Sequence, residues 1–556
     1  MKIAGLSFGE AGGALRSEGD VRKMVAKLPA DAPAALKELV FHAAAVAAAQ
    51  GLDAGARARV LLELDAAVHA CRERIVRGHL APNGAPAAGR DIAGLALRPL
   101  LEAAEELARG LAAASSAEAL QSGAVQKVLG PLLARRAAWL GCRFALMYAL
   151  RQSDAGALWR EAHAVFALAR KHDLLNAEQR LGAGEETVTS VRHEYVRLFL
   201  LDIAGLEALR AREIELAWRI AGRFAPQATL QREPPPGACY GIVPQGDARP
   251  LAIARLDKAS PALHLDTSGC TKPLRELVAR GLSCEGSDPD PLFDKLFTTA
   301  ESIEVAGRLL ERWGAAPPQR RSQRVALDTP VKLRSGLQDV LGALAPLNQG
   351  EALAEEAARA TRRLAEKTSP AAKGVRETAA RLVDRSTEGM GVLVPRVDAS
   401  WARIGLLVAV YIQAEKTCTV GVLRRIGAQG DQLRLGIGVL ARQPRTAWLH
   451  VRTPPPGRGA PHEERGTLEF FDFYRQALLL GDDPQPGAGG ALLVVPGAVA
   501  ASARLELPRL RGVQHLDPGS REDIAGCEQI AFEVSAETRY PKNPHDIEPD
   551  AWSNAQ

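Results

Sequence analysis

The segment DRSTEGMGVLV, residues 384–394, joins a polar turn directly to an apolar run. Asp384 and Ser386 have short polar side chains that favour turns, and Gly389 permits backbone angles that other residues disfavour. Residues 392–394 are Val-Leu-Val, which is typical of a buried strand. The segment therefore predicts a turn that opens onto a β-strand.

The sequence on both sides of this turn predicts further strands. Residues 325–333 alternate between apolar and polar side chains, which is the period of a half-buried strand. Residues 420–422 and 433–439 alternate in the same way, and the Gly-containing turn at 427–431 joins them. Several short strands linked by Gly-rich turns indicate a β-barrel.

Changes of pattern along the chain divide it into four predicted domains. Residues 1–230 carry small aliphatic side chains at helical spacing, which predicts an all-α bundle or array for partner contact. After a proline-rich stretch, residues 231–315 predict a small α/β linker domain. The barrel is expected at 316–455 with a helical insertion at 337–376, and a β-rich unit at 456–556. The predicted fold class is multidomain α+β.

Composition excludes several classes of protein. The 556-residue chain is 47% hydrophobic and 24% charged, which is ordinary for a soluble globular protein. Its net charge of +5 is small, and no long basic run predicts a nucleic-acid surface. The seven cysteines are scattered without a Cys-x-x-Cys pair, which argues against disulfides or a zinc site. Without a signal-peptide pattern or an apolar run of roughly 18 residues, we expect a cytoplasmic protein with no membrane span.

A second motif stands just before the first predicted strand. Residues 319–324, QRRSQR, contain Arg-x-x-x-Arg, with Arg320 and Arg324 at its ends. Arginine is so common in this chain that the pattern alone is weak. The Asp-x-Ser-x-x-Gly pattern beginning at Asp384 is more specific, because its expected chance count is on the order of 0.1 and it occurs once.

In this order the two motifs resemble those of the PilZ family, bacterial β-barrel receptors for cyclic di-GMP. The resemblance covers residues 317–442 and ends in an apolar run at 435–439. It implies a signalling receptor that binds cyclic di-GMP, uses no cofactor, and acts through an unidentified protein partner in motility, adhesion, secretion or surface polymer control. The residues that it assigns to the ligand are Arg320, Arg321, Arg324, Asp384, Ser386 and Gly389.

The chemistry of these side chains suits a guanine dinucleotide. Guanine O6 and N7 are paired acceptors that a planar guanidinium reads with two hydrogen bonds, and the same group can face a phosphate. Asp384 would accept from guanine N1–H or the N2 amine, and Ser386 would offer a hydroxyl. Gly389 would leave room for the ligand and allow the φ of the turn.

Two alternatives stay open. Arg320 and Arg324 can be solvated linker charges beside a purely structural turn. The barrel can also be a PilZ-like adaptor that acts through protein contacts without nucleotide. The pairs His193-Glu194 and His462-Glu463 do not extend to a metal-binding His-Glu-x-x-His motif, and no nucleophile, base and oxyanion site assembles. We therefore expect neither a metal site nor an enzyme.

Overall fold

The structure is a computed structural model of the chain, and packing divides it into two compact units, Met1–Gln319 and Arg320–Gln556. The first unit is mainly helical and the second contains two β-barrels. The predicted fold class, helices followed by β structure, is confirmed, while the finer domain boundaries stay a prediction. The structure describes residues 15–49, 51–80, 92–152, 155–180, 188–236, 238–257, 261–283, 296–314, 322–344, 377–452, 474–481, 485, 487–501, 503–509 and 512–539.

Most of the first unit is helical because small and aliphatic residues recur at helical spacing along it. Polar side chains begin several of these helices: Asp31 accepts from Ala34 N at 2.9 Å, and Thr298 forms a capping box with Glu301. The helices are α1 Glu18–Val25, α2 Ala32–Ala48, α3 Ala54–Leu80, α4 Ile92–Ala114, α5 Gly123–Gln126, α6 Leu129–Ala149, α7 Ala155–Lys171, α8 Val191–Ile203, α9 Ala211–Phe224, α10 Ser268–Ser283 and α11 Thr299–Trp313.

One hydrophobic core extends through this unit, from Val21 of α1 to Trp313 of α11. The indole Nε1 of Trp313 donates to the carbonyl of Leu200 at 3.0 Å, which fixes α11 against α8. A four-stranded antiparallel sheet in the order β3-β6-β4-β5 and a two-stranded β1-β2 ladder complete the unit. Their strands are β1 Gln179–Arg180, β2 Val188–Thr189, β3 Thr229–Gln231, β4 Tyr240–Ile242, β5 Leu251–Ala252 and β6 Leu263–Asp266.

The second unit begins with a closed, antiparallel six-stranded barrel in the order β10-β11-β12-β9-β8-β7. Side chains alternate along its strands, so Val392 of β9 and Leu435 of β12 point into the core while their sequence neighbours face outward. The predicted turn joins β8 to β9. The strands are β7 Val325–Ser335, β8 Thr378–Arg385, β9 Gly389–Pro395, β10 Leu407–Ile412, β11 Thr417–Gln429 and β12 Gln432–Ala441.

A second closed barrel follows after only three residues, in the order β13-β14-β15-β18-β17-β16. Its core includes Leu492, Leu505, Ile530 and Phe532. The barrel lies in and just before the segment expected to be a β-rich unit. The strands are β13 Arg445–Arg452, β14 Tyr474–Leu479, β15 Gly489–Val494, β16 Arg504–Arg509, β17 Gly512–Ile524 and β18 Cys527–Arg539.

A short helix, α12 Leu337–Leu344, stands at the start of the predicted helical insertion. Its buried side chains, Val340 and Leu341 among them, join a separate apolar cluster with outward residues of β10 and β11 and with Leu478 and Leu493 of the second barrel. The two barrels therefore share a packed interface. The rest of the predicted insertion, residues 345–376, lies outside the described residues.

Two sequence expectations concern the whole chain. Wherever the structure describes a cysteine its thiol is free, as at the buried Cys142 and Cys418. Among the described residues, no helix combines the length and the apolar character that a membrane crossing requires.

Candidate functional site

Asp384 is the centre of a charged cluster on the outer face of the first barrel. It lies on β8 opposite Gly391 of β9, next to a β-bulge, and its side chain is only 9% exposed. Its two carboxylate oxygens accept from two guanidinium groups: Oδ1 from Arg324 Nη1 and Oδ2 from Arg434 Nη2. A nearly buried carboxylate thus fixes two arginines that are 110 positions apart in the sequence.

Gly391 is needed because the Asp384 carboxylate fills the space where a side chain would stand. A Cβ at position 391 would lie 2.5 Å from Asp384 Oδ2 and 2.8 Å from its Cγ. Real Cβ contacts are not this short, so any side chain here displaces the carboxylate. Gly391 therefore supports the pairing of Asp384 with Arg324 and Arg434.

The turn between β8 and β9 is held by backbone hydrogen bonds and by one distant arginine. Ser386 N donates to Gly389 O at 2.8 Å, which closes the turn. Arg442, in the short connection between the two barrels, donates from Nη2 to the carbonyls of Ser386 at 2.8 Å and Thr387 at 3.1 Å. The Ser386 hydroxyl makes only a long contact, 3.4 Å, with Gly389 O.

Gly389 is explained by space rather than by an unusual backbone angle. Its φ lies outside the left-handed region, so the expectation that the turn needs glycine for its φ is wrong. A Cβ there would lie 3.2 Å from the Ile437 carbonyl, and would face Arg324 Nη2 at 3.8 Å and Ser386 Oγ at 3.9 Å. A Cβ at Gly389 would thus lie close to two side chains that were expected to bind the ligand.

Four glycines lie at paired positions of β9 and β12 next to this cluster, and we call them the glycine floor: Gly389, Gly391, Gly436 and Gly438. Gly436 pairs directly with Gly391, and Gly438 pairs with Gly389, across β12 and β9. The residues between them, such as Met390, are buried in the barrel core, so the glycines face outward. Because these positions have no side chains of their own, the side chains of Asp384 and of neighbouring arginines can lie directly over the strands.

A β-bulge on β11 places two consecutive arginines along the edge of the glycine floor. The register shifts between Leu423 and Arg425, and both Arg424 and Arg425 are exposed. A Cβ built on Gly436 would touch Arg425 Cβ, and one built on Gly438 would touch Arg424 Cγ, each at 3.2 Å. The two side chains therefore lie beside glycines of β12.

Positive charge predominates around the glycine floor. Even if Glu388 of the turn is counted with Asp384, the arginines outnumber the carboxylates. The side chains of Arg324 and Arg434 are 31% and 51% exposed, so solvent and ligands reach them. Together these features suit a planar ligand with negative charge. The arginines of the cluster are Arg324, Arg424, Arg425, Arg434 and Arg442.

The structure brings four of the predicted site residues together: Arg324, Asp384, Ser386 and Gly389. The other two, Arg320 and Arg321, lie outside the described residues.

Sequence reasoning missed Arg434, Gly391 and the two glycines of β12. A signal was available, because Arg434, Gly436 and Gly438 occupy the outward positions of the alternating run at 433–439. The strand pairing that places them beside Asp384 was not available from a local pattern.

A buried ionic cluster in the first unit has a different character. Arg72, whose side chain is 2% exposed, pairs with Glu215, and the guanidinium carbons of Arg72 and Arg197 lie 4.1 and 3.5 Å from the ring centroid of Trp218. These groups are enclosed and bonded to one another, so they join α3, α8 and α9 rather than offering a surface.

The second barrel carries its own polar cluster around Glu506. Its carboxylate oxygens lie 2.8 Å from His450 Nδ1 and 3.1 Å from Arg452 Nε. His515 Nδ1 lies 3.5 Å from the same carboxylate. Its three neighbours satisfy the carboxylate within the protein. Over the described ranges, no group of three or more His, Cys, Asp or Glu side chains is arranged to hold a metal ion.

Comparison with known families gives one match, in the first unit. Residues 19–236 match the family described as the N-terminal domain of the cyclic-di-GMP receptor FimW. The matched segment contains α2 to α9 and β3, is less than half of the chain, and does not reach either barrel. A comparison with curated proteins finds no match.

Proposed function

We propose that the chain is a PilZ-type receptor for cyclic di-GMP, and that the ligand lies over the glycine floor of the first barrel. The observation that supports this most directly is the Arg324–Asp384–Arg434 cluster beside outward-facing glycines. Ser386 and Gly389 complete the surface, and Arg320 and Arg321 immediately precede it in the sequence.

The arginines provide the recognition chemistry. Each guanidinium can donate two parallel hydrogen bonds to O6 and N7 of a guanine, or to two oxygens of a phosphate. The ligand has two guanines and two phosphates, so it can engage several arginines at once. Over the glycine floor a base or the sugar–phosphate ring would meet the polar side chains of Asp384, Arg424 and Arg425, which lie beside these glycines.

Asp384 has a positioning role in addition to any contact with guanine. In the structure both of its oxygens are engaged by Arg324 and Arg434, so its first effect is to hold these two arginines at the edge of the floor. A guanine N1–H or N2 amine that reaches the carboxylate must share those oxygens or displace one arginine. Asp384 therefore links the binding of the base to the position of Arg324.

The family match supports the same ligand from an independent region. It concerns the helical N-terminal domain of a cyclic-di-GMP receptor, whereas the proposed site lies in the second unit. Two separate parts of one chain thus point to the same second messenger.

Calorimetric titration of the full chain with cyclic di-GMP tests the proposal, with cyclic di-AMP as the ligand control. Adenine offers N7 and an amine instead of paired acceptors, so we expect cyclic di-GMP to bind roughly tenfold or more tightly. Arg324→Ala should lose a charge-assisted contact of about 1.5–3 kcal/mol, about ten- to a hundredfold in affinity.

Arg381→Ala is the matched protein control for that variant. Arg381 is also on β8 and exposed, but its ion pair is with Asp328 rather than with Asp384. It should bind like the wild type. Absence of binding to the wild type refutes the receptor, and equal loss in both variants refutes the site.

We further propose that ligand binding is coupled to a protein partner through the helical first unit, and that the protein is a non-catalytic, cytoplasmic signalling receptor in a bacterium. The helical domain of the matched family belongs to a receptor, which agrees with a role in output.

Hydrogen exchange with and without cyclic di-GMP tests the coupling. A ligand shifts a conformational equilibrium only through differential contacts, and Arg324 at the start of β7 would supply one. Protection should rise at residues 322–326 and change within residues 33–225. A change confined to the first barrel would show that the helical unit does not respond. If cyclic di-GMP does not bind, the adaptor alternative takes the place of the receptor.

A further inference from the structure

The two barrels have the same strand topology. In the first, β7 pairs with β8 and β10, β9 with β8 and β12, and β11 with β10 and β12. In the second, β13 pairs with β14 and β16, β15 with β14 and β18, and β17 with β16 and β18. If six is added to both strand numbers of each pairing in the first barrel, the result is a pairing of the second barrel. The second barrel is therefore a structural repeat of the first.

The register of the strands fixes which residues correspond. Two-residue loops close the long hairpins, between Gln429 and Gln432 in the first barrel and between Ile524 and Cys527 in the second. Three residues after Gln432 and three after Cys527, a core residue pairs with β9 or with its counterpart β15: Leu435 pairs with Val392, and Ile530 with Leu492. Residue 527 thus corresponds to 432, and residue 492 to 392.

This correspondence shows that the second barrel does not repeat the glycine floor. Its equivalents of the four glycines are Gly489, Ala491, Ala531 and Glu533, and its equivalent of Arg434 is Gln529.

The replaced surface is also acidic where the first barrel is basic. Glu533 is exposed and pairs across the ladder with Asp517, which is exposed too. Two carboxylates at this place repel a ligand that carries two phosphates.

The neighbouring wall of the second barrel is occupied by protein. Leu478 and Leu493 face outward opposite each other on β14 and β15, and both are fully buried in the cluster with α12 and the first barrel. On the first barrel the corresponding pair is Arg381 and Leu393, and the Arg381 side chain is exposed and paired with Asp328. The repeat therefore uses for packing a position that the first barrel leaves open to solvent at Arg381.

We propose that the second barrel is a repeat that has lost the ligand surface, so that each chain has a single cyclic-dinucleotide site, in the first barrel, with the second barrel serving as a support packed against it. This inference rests on the proposed function, because it assigns the site to one of two otherwise equivalent barrels.

Titration of full-length variants with cyclic di-GMP tests the assignment. Arg434→Gln replaces an exposed arginine of the first barrel by glutamine, the residue at the equivalent position 529 of the second barrel. We expect the affinity for cyclic di-GMP to fall at least tenfold, with no binding component that keeps the wild-type affinity. Gln529→Arg and Glu533→Gly, separately and together, should stay within twofold of the wild type. Thermal unfolding of each variant shows that the barrels remain folded.

The outcomes separate the two proposals. A component of wild-type affinity that survives Arg434→Gln, or a change of binding beyond twofold in Gln529→Arg or Glu533→Gly, would place ligand on the second barrel and overturn the inference alone. A wild-type chain that binds no cyclic di-GMP would overturn the receptor itself.

Discussion

The two barrels have one topology and two different outer surfaces. On the first, Gly438 and Arg434 of β12 lie beside an arginine cluster, and on the second the same places carry Glu533 and Gln529. Both cores are filled mainly by aliphatic side chains at the inward positions of the strands. The fold therefore depends on the inward positions, while the charge of the surface depends on a few outward ones.

The comparison also shows what a glycine contributes in a strand. Gly391 makes space for the Asp384 carboxylate on the outside of the first barrel. Gly490 makes space for the Phe532 ring, since a Cβ there would lie 2.6 Å from its Cζ. One glycine thus supports a charged surface and the other supports an aromatic side chain of the core.

The largest effect is expected when an acidic residue of the second barrel is placed in the first. Gly438→Glu puts a carboxylate beside Arg424, where it would pair with the guanidinium and repel the phosphates. We expect cyclic di-GMP to bind about a hundredfold more weakly, or about 2.8 kcal/mol. Calorimetry measures this, and Glu533→Gly is the reciprocal control without loss. Unchanged binding by Gly438→Glu would show that the ligand does not contact the floor.

Replacing the aspartate by its amide separates charge from shape in the cluster. Asp384→Asn keeps an acceptor of the same size but loses the charge that holds Arg324 and Arg434. We expect affinity to fall about tenfold, by about 1.4 kcal/mol. The midpoint of thermal unfolding should fall only slightly, because both arginines are partly solvated. If affinity is unchanged while stability falls, the ion pairs serve the barrel and not the ligand.

The sequence predicted the barrel because the alternation of apolar and polar side chains in residues 325–333 and 433–439 can be recognised within each strand alone. It also predicted four residues that the structure brings together, since the turn at Asp384 is a local motif and Arg324 immediately precedes the adjacent strand β7. Arg434 reaches the cluster only through the pairing of β12 with β9, which is set by register. The repeat of the barrel could not be predicted from the sequence, because the two sets of strands share a topology but no sequence motif.

A methyl group at position 391 tests whether the carboxylate must stay where it is. Gly391→Ala introduces the residue that the second barrel has at the equivalent position 491. Its Cβ would force the Asp384 carboxylate away from its present position. We expect binding to weaken by about fivefold, or about 1 kcal/mol. Gly427→Ala is the control, because nothing lies within 4 Å of a Cβ there. Equal effects of both substitutions would mean that strand propensity, and not the position of Asp384, explains the loss.

The smallest effect is expected at Arg442, which connects the turn of the site with the start of the second barrel. Arg442→Ala removes two hydrogen bonds to the carbonyls of Ser386 and Thr387 and should weaken binding only a few-fold, since the turn keeps its bond between Ser386 N and Gly389 O. Titrations at several salt concentrations separate two roles. If Arg442 only holds the turn, the variant keeps the salt dependence of the wild type, because no charge contact with phosphate is lost. If Arg442 contacts phosphate, the variant binds with a weaker salt dependence, and the ligand surface then extends to the junction between the barrels.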